Sequence, residues 1–242
     1  MTADEPRGVG RDVTPVRHAL VAGATGLVGG HCLRALLAST AFAGVTALVR
    51  RPLASAPADL DVRVVSFDQL AAAGVVTATD AFCALGTTIA AAGSREAFRR
   101  VDLEHVASFA RFARDAGARR FVLVSSVGAD PGRSNFYLRV KGEAERAVGA
   151  VGFEQLDILR PGLLIGARSD SRPGEALAQR LMPRVSFVLA GPLRKYRPIS
   201  AATVGQAMVG TALADHGGVL VLEYDLIRSM ANVSELPGGG AE

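Results

Sequence analysis

Short runs of apolar and β-branched residues recur along the chain, and longer stretches between them return an apolar residue every three or four positions. The short runs are typical of buried strands and the longer stretches of amphipathic helices. The pattern predicts strands at 16–22, 45–49, 62–66, 81–85, 121–125, 156–159 and 219–222. It predicts helices at 31–38, 94–116, 136–148 and about 203–214.

Strands that alternate with helices predict an α/β fold, because each helix carries the chain back to the start of the next parallel strand. We expect a Rossmann-type doubly wound, mainly parallel sheet in a single domain over residues 15–233. After Arg160 the chain becomes rich in Gly, Pro and Arg, and this small C-terminal region is expected to shape a substrate cleft. Residues 1–14 and 234–242 lack periodicity and are expected to be disordered tails.

Composition narrows the class of protein. The net charge is +4, but the arginines are interspersed with carboxylates, so nucleic-acid binding is not expected. No apolar run approaches the roughly 18 residues of a membrane span, and the N-terminus is polar, which predicts a cytoplasmic protein without membrane contact. Cys32 and Cys83 lack disulfide or metal-site spacing, so no metal is expected.

A glycine motif, G-x-x-G-x-x-G, follows the first predicted strand and opens a helix. Its residues are Gly23, Thr25, Gly26, Leu27, Val28 and Gly29. In this context the glycines permit a tight turn, a close approach of the backbone to a pyrophosphate, and close helix–strand packing. The motif predicts a dinucleotide site. The alternative is an ordinary strand–helix turn, since glycine is abundant in the chain.

Two arginines, Arg50 and Arg51, end the second predicted strand, where an NAD-selective site usually offers a carboxylate to the ribose. Guanidinium groups bind a 2′-phosphate through paired hydrogen bonds. We therefore expect NADP (NADPH) as cofactor, with NAD the less favoured choice. The alternative is that both arginines are solvated residues at a strand end.

Candidate catalytic residues follow the fifth predicted strand. Ser125 and Ser126 end that strand, and Tyr137 and Lys141 are spaced to share one helical face. A phenol is a weak acid, and a nearby ammonium favours its phenolate form. Tyr137 is the predicted proton donor or acceptor, Lys141 the charge beside it, and Ser126, ahead of Ser125, the hydroxyl that binds a carbonyl oxygen. The alternative is a core tyrosine beside a solvated lysine.

These residues resemble the atypical branch of the short-chain dehydrogenase/reductases. Further matches resemble the NAD(P)-binding proteins of the Tat-interacting oxidoreductase family over about residues 16–215. They are the segments 83–88, 101–102, 141–143, 160–162 and 171–175. The resemblance implies an oxidoreductase in which Leu85 and Gly86 line a cofactor ribose, Leu164 leads to the nicotinamide, and Arg172 reaches a cofactor phosphate. Leu85 and Leu164 also fit a role as core residues.

Two departures from that family pattern concern the loop after the fourth strand and position 102. The loop reads Leu-Gly-Thr-Thr in place of Asn-Ala-Gly, and Asp102 stands where extended members often have asparagine. A proton relay through that asparagine is therefore in doubt.

Three functions fit these observations to different degrees. The first is NADP-dependent hydride transfer to or from a small carbonyl or alcohol whose identity the sequence does not specify. The second is a non-catalytic NADPH-binding regulator that recognises a protein partner. The third is a nucleotide-sugar epimerase, which the short region after Arg160 disfavours. The sequence does not specify the oligomeric state, and a homodimer is one option.

Overall fold

Seven parallel strands form one sheet in the computed structural model, which describes residues 16–53, 55–166 and 189–233. The described residues contain nine strands, seven in this sheet and two in a second one. They are β1 (Arg17–Ala22), β2 (Phe42–Val49), β3 (Leu60–Val64), β4 (Asp80–Cys83), β5 (Arg120–Val124), β6 (Gln155–Leu159), β7 (Leu164–Ile165), β8 (Ile199–Ser200) and β9 (Gly218–Leu222). The sheet has the order β3-β2-β1-β4-β5-β6-β9, and β7 pairs with β8 in a separate two-stranded ribbon. All adjacent strands of the large sheet are parallel. The predicted Rossmann-type doubly wound fold is confirmed.

Helices cover both faces of this sheet. They are α1 (Leu27–Ala38), α2 (Ile89–Ala92), α3 (Arg95–Arg99), a π-helical turn (Arg100–His105), α4 (Val106–Asp115), α5 (Phe136–Gly149), α6 (Ala201–Leu213) and α7 (Tyr224–Val233), with 3-10 turns at Leu70–Ala73 and Gly191–Tyr196. Side chains of α1, α6 and α7 pack on one face, and those of α4 and α5 on the other. Neighbouring residues of a strand point to opposite faces, as the two-residue period of a strand requires. The Val21 side chain packs on the face covered by α1, α6 and α7, and the Leu20 side chain on the face covered by α4 and α5.

The predicted strands and long helices agree with the structure to within a few residues, but several features were missed, including the one-turn helix α2. Strands β7 and β8 have only two residues each, too few to show a period. Helix α7 buries only Ile227 and Ala231 and so carries a thin apolar stripe. The predicted helix over 94–116 is interrupted by the π-helical turn, because a one-residue insertion barely disturbs a helical pattern.

Two buried carboxylates, each with polar partners, lie in the half of the molecule where the strands begin. Arg17 Nε donates to Asp80 Oδ2 at 3.0 Å, joining the starts of β1 and β4. Asp157, within β6, is 2.9 Å from His216 Nε2 and accepts a hydrogen bond from Gln155 Nε2. Burial raises the pKa of Asp157, and these two partners offset that effect only in part. Both carboxylates therefore have polar partners within the fold. They lie away from the carboxyl ends of the strands, where the catalytic residues were predicted.

No helix within the described part of the chain is long and apolar enough to cross a membrane.

Candidate active site

The glycine loop between β1 and α1 is held by close backbone contacts. Gly23 has a φ of 86°, in the left-handed region that favours glycine, and a β-carbon there would lie 2.5 Å from the Ala84 carbonyl oxygen. A β-carbon on Gly29 would overlap the Gly23 carbonyl. The Gly26 N–H donates to the Gly23 carbonyl oxygen at 2.9 Å. The loop is thus shaped by the absence of side chains at these positions.

This loop leaves the start of α1 accessible to an anion. Gly26 is the N-cap, and the first turn of α1 contains no acidic residue. The first N–H groups of a helix have no acceptor within it and suit a phosphate, which fits a pyrophosphate cradled by the glycines. Thr25 and Gly26 are exposed and Leu27 is half-buried, so these predicted cofactor residues border the cradle. Val28 is a core residue, which assigns it to helix packing.

Arg50 and Arg51 lie directly after β2, at the same edge of the sheet as the glycine loop. Both side chains are exposed. Within the described residues neither forms a hydrogen bond or ion pair, whereas nearby Arg63 is held by Asp61. Both guanidinium groups are therefore available to a ligand that approaches this edge.

Tyr137 and Lys141 lie one turn apart near the start of α5 and face the same buried cluster. The Tyr137 ring packs against Phe98, with ring centroids 5.5 Å apart. The Lys141 ammonium forms an ion pair with Asp102, with Nζ 2.8 Å from Oδ1. The predicted pairing of tyrosine and lysine on one helical face is present, and it includes a carboxylate that the spacing did not reveal.

The electrostatic surroundings of Lys141 favour its charged form. Burial is the largest effect and by itself lowers the pKa of the ammonium, but the Asp102 carboxylate and Tyr137 together outweigh it and raise that pKa. A carboxylate in contact with a buried ammonium compensates for the water that the ammonium has lost. Lys141 therefore carries a positive charge at neutral pH.

The two candidate serines differ in exposure. Ser125 is buried, its N–H donates to the Leu159 carbonyl oxygen at 2.8 Å, and its hydroxyl has no hydrogen-bond partner among the described residues. Ser126 is half-buried, and its carbonyl oxygen accepts from the Ala129 N–H in the turn after β5. Of the two hydroxyls, that of Ser126 is the more accessible to a small molecule.

The loop that follows β4 connects the two halves of the site. Ala84 contacts the glycine loop through Gly23, as described above, and Leu85 is half-buried against the core. A β-carbon on Gly86 would lie 3.5 Å from Lys141 Nζ. The predicted cofactor residues Leu85 and Gly86 thus lie between the glycine loop and the Tyr137–Lys141 pair.

The remaining predicted residues lie beyond β6. Leu164, in β7, pairs with Ile199 and packs against the core. Gly166 lies beside the glycine loop, because a β-carbon there would be 2.9 Å from Leu27 Cδ1. The structure therefore brings the segment that carries Leu164 close to the glycine loop. Arg172 lies outside the described residues.

Cys83, the last residue of β4, is close to this site but is not a nucleophile. Burial raises the pKa of its thiol to about 12, so it is protonated at neutral pH. We expect a disulfide reagent to modify Cys83 and Cys32 on the order of 100-fold more slowly in the folded protein than in urea. With a reagent that releases a coloured thiol on reaction, absorbance measures both rates. Fast modification of Cys83 in the folded state would show that the end of β4 is open to solvent.

No cluster of three or more histidine, cysteine, aspartate or glutamate side chains that could hold a metal ion occurs in the described ranges.

Comparison with known proteins agrees with this geometry. Residues 23–215 match the family described as NAD(P)H-binding. The chain is 43% identical over 223 residues to the protein fmp52-1, mitochondrial, of Aspergillus terreus, covering 89% of this chain and 93% of that one. It is 34% identical over 223 residues to the rat protein HTATIP2, covering 90% of each. It is also 38% identical to the Aspergillus clavatus protein fmp52, mitochondrial, covering 89% and 93%.

Solved structures share the fold at low identity. MoeE5 in complex with UDP-glucose and NAD superposes with a TM-score of 0.63 at 18% identity, covering 89% of this chain and 81% of that one. The human epimerase family protein SDR39U1 with NADPH gives a TM-score of 0.57 at 21% identity, covering 85% and 74%. At these identities the likeness concerns the fold alone.

The prediction of a cytoplasmic location is wrong by this comparison, because the fungal relatives are named mitochondrial proteins. The prediction rested on composition and on the lack of an apolar span. Those features describe contact with water and lipid, and they carry no information on the compartment.

Proposed function

This chain belongs to the family of NAD(P)H-binding proteins, and from that premise we propose that it is an NADP-dependent oxidoreductase acting on a small carbonyl or alcohol. The observation that carries the proposal is the course of the loop after β4, which lies against the glycine loop at Gly23 and then passes Lys141, where a β-carbon on Gly86 would be 3.5 Å from Nζ. A dinucleotide held by the glycine loop would therefore extend toward Tyr137. In open α/β sheets ligands bind at this carboxyl edge of the strands.

The preference for NADP rests on Arg50 and Arg51. Both guanidinium groups are exposed at the end of β2 and have no carboxylate partner among the described residues. A 2′-phosphate on the adenosine ribose offers such groups a doubly charged acceptor with paired hydrogen bonds. A carboxylate, which would repel that phosphate and bind the ribose hydroxyls of NAD, is missing from both positions.

The proposed chemistry divides between three side chains. The Ser126 hydroxyl donates a hydrogen bond to the substrate carbonyl oxygen, and the Tyr137 phenol donates the proton that this oxygen takes up. The Lys141 ammonium stabilises the negative charge that Tyr137 acquires. When bound, NADPH would supply the hydride for the carbonyl carbon and be oxidised to NADP⁺. The product is an alcohol, and the reverse reaction uses the same groups.

The proposal is tested first by calorimetric titration with NADPH and with NADH. We expect NADPH to bind at least about tenfold more tightly, equivalent to about 1.4 kcal/mol. Arg50→Ala should remove most of that preference and leave the affinity for NADH unchanged, because only NADPH carries the 2′-phosphate.

Arg119→Ala is the matched control. Arg119 is also an exposed arginine, but it pairs with Glu154 and precedes β5 at the opposite edge of the sheet. Its substitution should change neither affinity. Equal binding of both nucleotides by the unaltered protein would contradict the assigned preference, and binding of neither would contradict the oxidoreductase proposal as a whole.

A further inference from the structure

We propose that Asp102 is a positioning residue of the reaction, whose carboxylate fixes the Lys141 ammonium beside Tyr137. The inference rests on the proposed function for its reaction. Its geometric basis is independent, because Asp102 and Lys141 of the chain itself form the contact.

The Asp102 carboxylate is held from two sides. Its Oδ1 is 2.8 Å from Lys141 Nζ, and its Oδ2 accepts a hydrogen bond from the Thr87 N–H at 2.9 Å. Gly86 leaves the space that this arrangement needs, because a β-carbon there would be 3.3 Å from Oδ1. One carboxylate therefore joins the loop after β4 to the helix that carries Tyr137.

Burying the ion pair of Asp102 and Lys141 has a large cost in desolvation free energy. Asp102 is fully buried and Lys141 is 7% exposed. Removing two charges from water costs several kcal/mol per ion, and the mutual attraction of a buried pair often does no more than offset that cost. An apolar pair of similar volume would serve the core as well. A role in holding a charge at the site explains why a charged pair is here.

The helix is distorted where Asp102 enters it. Asp102 is the buried residue of the π-helical turn Arg100–His105, between Phe98 and Val106, which are both core residues. Such turns are rare, add one residue to a helix and occur frequently at functional sites. Here the turn brings a carboxylate onto the buried line of the helix, where the flanking turns carry apolar side chains.

The charged and titratable groups that act on Lys141 are few. They are Asp102 from the π-helical turn, Tyr137 from its own helix, and Cys83 from the end of β4. The Cys83 thiol is protonated at neutral pH, since burial raises its pKa to about 12. Asp102 is thus the carboxylate that compensates the Lys141 charge among the described residues.

The charge on Lys141 can be measured without a substrate. The chain has two lysines, Lys141 and Lys195, so a protein labelled with ¹³C at the lysine ε-carbon gives two signals, which Lys195→Arg assigns. We expect the Lys141 signal to titrate above the ordinary lysine pKa of about 10.4. In Asp102→Asn its midpoint should fall by at least about one pH unit, because the amide keeps the shape and removes the charge.

Asp80→Asn is the matched control, since Asp80 is also a fully buried aspartate paired with a cation, Arg17, at the opposite edge of the sheet. It should leave the Lys141 midpoint unchanged. An unchanged midpoint in Asp102→Asn would overturn the proposal. Should that variant not fold, the unaltered protein decides: a Lys141 midpoint at or below the ordinary value would overturn the proposal, because burial without an effective carboxylate lowers it.

Turnover provides the second readout. With a carbonyl substrate found by screening, Asp102→Asn should lower kcat by about tenfold or more and move the alkaline limb of its pH profile to lower pH, as expected for an essential group with an altered pKa. The KM for the carbonyl substrate should change little. A lower kcat with an unshifted profile would overturn the positioning role. If the unaltered protein reduces no carbonyl, the proposed function fails, while the lysine titration still decides whether Asp102 holds the charge.

Discussion

Gly29→Ala is expected to destabilise the fold by about 1–3 kcal/mol and to abolish tight binding of NADPH. A β-carbon at this position would overlap the carbonyl of Gly23, and the atoms it meets belong to the backbone, which cannot rotate away as a side chain can. Relief requires α1 to move away from the glycine loop. That movement displaces the N–H groups that the pyrophosphate needs, so stability and binding should be lost together.

The neighbouring glycine provides the control for this substitution. A β-carbon on Gly30 would be 3.5 Å from the Ala24 carbonyl oxygen, an ordinary contact, and position 30 also lies within α1. Gly30→Ala should therefore keep NADPH binding and add up to about 1 kcal/mol of stability, since alanine favours a helix over glycine. Urea unfolding and calorimetry measure both effects. Equal behaviour of the two variants would show that the contact between α1 and the loop does not control the site.

Tyr137→Phe is expected to lower kcat for carbonyl reduction by a factor of about 10²–10⁴, the usual contribution of a positioned proton donor. The phenylalanine ring keeps the packing against Phe98, so folding and NADPH affinity should stay close to those of the unaltered protein. The rate of NADPH consumption with a panel of small aldehydes and ketones measures the effect. Loss of rate without loss of binding would separate proton transfer from cofactor binding.

Tyr196→Phe tests whether any tyrosine hydroxyl has such an effect. Tyr196 is exposed in the 3-10 turn Gly191–Tyr196 and should be replaceable without a change in rate. If Tyr137→Phe turned over carbonyl substrates as fast as the unaltered protein, the proton donor would be another group. If Tyr137→Phe instead lost carbonyl turnover, bound NADPH normally and kept every cellular activity, a non-catalytic NADPH-binding regulator would be the better description of this chain.

The sequence was sufficient for the features that depend on local spacing. The glycine motif, the strand–helix alternation and the four-residue spacing of Tyr137 and Lys141 each follow from the period of one element and its neighbours. For the same reason the carboxyl edge of the sheet could be expected to collect Arg50, Ser126 and the loop after β4, because parallel strands end together.

The pairing of Asp102 with Lys141 could not be predicted in the same way. Position 102 stood out in the sequence only as an acid in place of a customary asparagine. Its contact depends on a π-helical turn and on the main-chain N–H of Thr87, and neither leaves a trace in the hydrophobic pattern. The exposure that separates Ser126 from Ser125 likewise depends on how the turn after β5 packs, which a strand period does not determine.

The segment Ala84–Gly86 has a consequence for how this protein tolerates change. One end of this stretch lies against the glycine loop, and at the other end a β-carbon on Gly86 would be 3.5 Å from the Lys141 ammonium. It lies between the loop proposed to hold the nucleotide and the tyrosine proposed to supply the proton. A shift of about 1 Å in such a segment can cost about a hundredfold in rate through misalignment alone. Substitutions in this stretch can therefore produce a protein that holds its nucleotide well and yet works slowly.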